Sequence, residues 1–153
     1  MRDLVVAGQA RCEAAFYPPS APINIVSGPL QLTLRCEEES RQPQAFVYRS
    51  GMALLSKAEQ RNLDQRMLKG NFDPEYAKVT TVIDGRAPKT ENWEIDLTGE
   101  IVSPQNSAQF IDQLRAAATM SLSIERGVKR EAGTFQVRGK IPSRWAPCGG
   151  VSH

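Results

Sequence analysis

Between Trp93 and Gly139 the hydrophobic period of the chain changes twice, and this narrows the folds open to it more than any other feature. Trp93, Ile95 and Leu97 alternate with Glu94 and Asp96, the pattern of a strand with one buried face. Phe110, Ile111, Leu114, Ala117 and Ala118 then recur at helical spacing, a wide apolar stripe that needs a sheet to press on. Ser103 as N-cap and Pro104 at the first helical position place that helix near 104–118. Alternation resumes at Leu122 and Ile124, passes a basic turn, GVKREAG, and continues at Phe135 and Val137. Helices alone, or strands alone, cannot satisfy such a pattern.

Upstream, Leu30, Leu32 and Leu34 alternate with Gln31, Thr33 and Arg35, and AFVYRS follows the polar break EEESRQPQ, so a hairpin with an acidic tip is expected. The triple glutamate reads as a solvated loop. Ser56 with Glu59 forms a capping box and Gly70 closes the same helix, near 57–69, on a narrow apolar face of Ala58, Leu63, Met67 and Leu68. Residues 77–83 are β-branched and read as a strand, and DGRAPKTEN as the loop after it. A strand is also expected within residues 3–16, and Tyr17–Pro22 as an extended loop. The sum is an α+β domain, mainly antiparallel β and sandwich-like, with about seven or eight short strands and two helices. At 153 residues the chain reads as a single domain, frayed at 1–2 and 149–153.

Charge sets few limits on function. With 19 basic and 17 acidic residues, the net charge of +2 does not by itself demand a nucleic acid or a membrane surface. No segment reaches the ~18 apolar residues of a membrane helix, and no secretory signal is visible after Met1. Two compartments stay open: cytoplasmic, or periplasmic or secreted after removal of a leader. The three cysteines, Cys12, Cys36 and Cys148, fit either three thiols or one disulfide with one thiol left over, Cys36 being the better partner for Cys148.

Motifs for catalysis are sparse. The single histidine, His153, is the last residue, so no histidine-based triad can be built on a rigid frame, and neither phosphate-binding glycine loop occurs. No cofactor or metal is expected. Glu94, Asp96 and Glu100 could supply the carboxylates of a hydrolase, the third of three readings. Arg126, Lys129, Arg130, Arg138, Lys140 and Arg144 form a basic patch on the last hairpin and tail, suited to nucleic acid or an acidic protein in a cytoplasmic, phage or mobile-element type of factor.

The elements VTTVIDG, Trp93 opening a strand, FIDQLRAA, MSLSI, GTFQVRG and a late Cys148 together resemble the β-rich periplasmic accessory proteins associated with type VI secretion, and more distantly the invasion-associated locus B family. The resemblance implies that Cys36 and Cys148 form the disulfide, with Trp93, Phe110, Leu114, Phe135 and Gly139 as framework. It also implies a non-enzymatic envelope domain that works through protein contacts. The capped helix at 56–70 has no counterpart in that pattern. The leading expectation is therefore a non-catalytic accessory module with a protein partner.

Overall fold

The computed structural model describes residues 22–37 and 39–141. The strand expected within 3–16, Cys12, and the tail from Pro142, with Arg144 and Cys148, lie outside them. In chain order the elements are β1 (Ile23–Ser27), β2 (Leu30–Glu37), β3 (Gln42–Tyr48), α1 (Lys57–Leu68), β4 (Glu75–Ile83), β5 (Lys89–Ile95), β6 (Ile101–Ser103), α2 (Ser107–Arg115), β7 (Thr119–Arg126) and β8 (Lys129–Gln136). The antiparallel, β-rich α+β fold with two helices holds. The eight strands of the described residues join one sheet in the order β1-β2-β3-β6-β5-β4-β7-β8, so the facing layers are opposite walls of a sheet that curls until its edges nearly meet.

Period two decides which wall each side chain joins. Leu30, Leu32, Leu34 and Cys36 of β2 point inward, as do Ala77 and Val79 of β4, Trp93 and Ile95 of β5, Met120, Leu122 and Ile124 of β7, and Phe135 of β8. The edges β1 and β8 meet at a small residue. Ser27 Oγ accepts a hydrogen bond from Thr134 N at 2.9 Å, and a Cβ on Gly133 would lie 2.9 Å from that same oxygen. Only a residue without a side chain lets the edges come this close.

The helices follow their signals with two corrections. Both halves of the capping box form, Glu59 N donating to Ser56 Oγ and Ser56 N to Glu59 Oε1. Gly70, at φ 83, ends α1 with Asn71 N donating to Arg66 O and Gly70 N to Met67 O. Leu63 is buried and Met67 partly so, but Ala58 and Leu68 face solvent, leaving α1 a thinner apolar stripe than its sequence indicates. α2 begins later than expected. Ser103 is still paired in β6, opposite Glu94, so the cap passes to Asn106, whose Oδ1 accepts from Gln109 N at 3.0 Å. Phe110, Ile111 and Leu114 are buried, the apolar stripe the sequence indicates.

Gly133→Ala should force β1 and β8 apart at Ser27 and lower stability by about 1–3 kcal/mol, the usual range for overpacking. Urea unfolding should show a lower midpoint at an unchanged slope. An unchanged midpoint would mean that the edges are not held this tightly.

Candidate functional site

The sheet is interrupted on one side, and the interruption makes the only recess we treat as a candidate site. β4 pairs β5 from Thr81 opposite Lys89 to Glu75 opposite Ile95. On its other side β5 has only β6, which reaches Glu94 and Ile95 and stops. Pro104 explains the stop, since it follows β6 directly and offers no N–H to extend the ladder. Among the described residues, Lys89–Trp93 therefore have a strand on one side alone. β3 is open in the same way, because β6 pairs only its Val47 and Tyr48.

α2 fills this gap and leans toward β3, where Ser107 Oγ accepts from Ala45 N at 3.1 Å. Toward β5 a groove of about 300 Å³ remains. Phe110 and Pro104 line it with buried, apolar surface. Phe110 is fixed by Trp93 of β5, ring centroids 5.2 Å apart and planes at 85°. The rim is formed by amides: Asn92 from β5, Gln105 and Asn106 from the turn, and Gln109 and Gln113 from α2. Gln105 Nε2 donates to Asn92 O at 2.8 Å, a side-chain hydrogen bond that spans the groove. Lys89 and Glu91 face each other at 3.3 Å and cancel locally. This is a neutral recess rich in paired donors and acceptors, shaped to hold amide or hydroxyl groups.

The other candidate residues have other occupations. Asp96 accepts from Thr98 Oγ1 at 2.9 Å and from Ile101 N at 3.2 Å, closing the β5–β6 turn. Glu100 Oε2 accepts from Gly51 N at 2.8 Å, and Glu94 lies exposed on the outer face. These three carboxylates do not converge on a cleft. The basic residues divide between the two ends of the last hairpin. Arg126, Lys129 and Arg130 lie at the Gly127–Val128 turn, while Arg138 and Lys140 follow the far end of β8. Most of GVKREAG is strand, because Gly127, at φ 59, allows a two-residue turn.

Arg126 is tied inward. It donates to Tyr76 O at 2.5 Å and pairs with Glu59 at 2.7 Å and Glu75 at 2.9 Å, while Arg66 holds the other oxygen of Glu75 at 2.6 Å. The cluster joins α1 to β4 and β7. Arg130 pairs with Glu125 at 2.6 Å. At the opposite end Asp84, at φ 52, accepts from Ala118 N and Thr119 N, both at 2.9 Å, and these bonds hold its carboxyl below the ordinary range.

The groove escaped sequence reading because Lys89–Asn92 carries no apolar residue and reads as loop. The signal that could have found it is the proline so soon after Ile101–Ser103, which makes one strand too short for its neighbours. Comparison of the chain with protein-family models, with curated proteins and with solved structures finds no match.

The α1 cluster generates a pH dependence. The Ser56 backbone N–H, and after it the Arg126 guanidinium, lower the Glu59 carboxyl from its ordinary 4.5. A lowered carboxyl stabilises the fold above that ordinary value and ceases to do so as pH falls through its folded value. Thermal melts should therefore show stability falling below about pH 4.5. Glu59→Gln, which keeps the cap but not the charge, should flatten part of that fall. Parallel pH profiles for the two proteins would contradict the assignment.

Proposed function

We propose that this chain is a non-catalytic interaction module that holds a protein partner in the groove between β5 and α2. The observation carrying the reading is the amide rim beside an incomplete strand edge: five side-chain amides around a Phe110 floor, with the local charges already paired. Peptide groups are the natural complement of such a rim, each offering one donor and one acceptor. A polyanion is the weaker match, since Arg126 is engaged and the remaining hairpin cations are divided between two ends.

The proposal includes a compartment. We place the protein in the bacterial envelope or with a secretion system, in line with the resemblance to periplasmic accessory domains. The support is Cys36, buried near the end of β2, whose sulfur we assign to a disulfide as part of this proposal. Disulfides persist chiefly in oxidising compartments. Cys148 is the partner that the resemblance implies. Thiol titration of protein denatured without reductant should find one reactive cysteine of the three, and three would contradict this placement.

The binding surface is tested by a photo-crosslinking residue at Gln109, with Val128 on the distant hairpin turn as control. The protein captured at Gln109 is then purified and titrated. Gln109→Trp, which fills the groove, should weaken binding by about tenfold or more, the scale of one interface contact above ~1 kcal/mol. Equal affinity for wild type and Gln109→Trp would refute the groove as the working surface.

A further inference from the structure

We infer that the partner enters this groove as an extended segment and adds a strand to β5; the inference rests on the reading just given. Backbone direction supplies the first argument. Along β5 the even-numbered residues turn their main-chain groups away from β4. Asp96 N, just past the strand, donates to Ile101 O at 3.0 Å, Glu94 pairs Ser103, and Asn92 O receives Gln105 Nε2 at 2.8 Å. The two-residue period of a strand gives Thr90 the same direction, and among the described residues no strand lies opposite it. Gln105 acts as a placeholder, supplying the donor that a neighbouring strand would bring to Asn92.

The walls of the groove point the same way. α2 rests toward β3 through Ser107, so the groove has β5 as one wall and α2 as the other. A recess of about 300 Å³ walled on both sides suits one extended segment better than the edge of a folded sheet. It therefore selects a peptide strand over a second copy of this chain.

The walls also state the chemistry of the segment. Gln109 and Gln113 present side-chain amides from α2, Lys89 and Glu91 neutralise each other, and Phe110 offers an apolar floor. The matching segment is uncharged, with amide or hydroxyl side chains toward α2 and one apolar side chain over Phe110. Main-chain bonds to β5 supply affinity, and alternate side chains supply selectivity.

A display library of random linear peptides, selected on the folded protein, provides the probe. The most enriched peptide is synthesised and titrated against wild type, Thr90→Pro and Gln109→Trp. Thr90→Pro removes an N–H that β4 does not use, a substitution that edge strands tolerate. Both variants should bind about tenfold or more weakly, and bound peptide should slow hydrogen exchange at the Thr90 amide of the wild type. If Thr90→Pro does not fold, the Thr90 exchange rate decides alone. Failure to enrich any peptide, binding that survives Thr90→Pro, or an unchanged Thr90 exchange rate overturns strand addition. If the protein captured at Gln109 still depends on Gln109 in that event, the module reading stands and only the strand inference falls. Binding of a neutral oligosaccharide in place of any protein or peptide overturns both.

Discussion

The edge-to-face contact between Trp93 and Phe110 is the joint on which this architecture depends. Trp93 belongs to the strand that lacks a full neighbour, and Phe110 to the helix that stands where the neighbour would be. Such a pair adds about 0.5–1.5 kcal/mol beyond the burial of its rings. Its geometric effect is larger than that figure indicates. It sets how far α2 stands from β5, and so whether the interruption in the sheet is a sealed seam or a groove. The indole Nε1 of Trp93 is buried without a hydrogen-bond partner among the described residues. A buried donor left unpaired costs about 1–3 kcal/mol, so the core holds this residue for its shape and volume.

Around that joint the protein divides its tasks. The sheet interior is apolar apart from Thr81, which shares the inner face of β4 with Ala77 and Val79. The ends of the sheet are held by charge and capping: Arg126, Arg66, Glu59 and Glu75 bind α1 to β4 and β7, and Asp84 gathers two backbone N–H groups at the start of β7. Five side-chain amides gather around the groove. That separation argues for a recess kept polar and uncharged by composition, since 24% of all residues are charged and the only two charged groups lining it are paired.

Much of the fold was legible because its signals are local. Alternation in Leu30–Cys36 and Met120–Ile124, the Ser56–Glu59 box and the wide stripe of α2 each follow from residues within a few positions of one another. Three features were not legible. β1, INIVS, is only five residues long and follows the proline-rich loop, so the alternation of Ile23 and Ile25 before the Gly28-Pro29 turn is too short to stand out. Ser103-Pro104 is a good helix start that here ends a strand, because pairing with Glu94 outweighs a cap that Asn106 can provide. Lys89–Asn92 is exposed on both faces, so no hydrophobic period could mark it as strand. The candidate site is built from the last two, which explains why reading the sequence directed attention to the basic hairpin and the acidic strand instead. A gap in a sheet is a property of relative strand lengths and leaves no motif.

Among the described residues, β5 has one satisfied edge and one open edge over Lys89–Trp93. Residue-resolved amide hydrogen exchange of the free protein tests it most directly. The account predicts slow exchange at Glu91, whose main chain turns toward β4, and fast exchange at Thr90, whose main chain turns into the groove. Equal, strong protection at both amides would show that the edge is already paired, and would contradict the account.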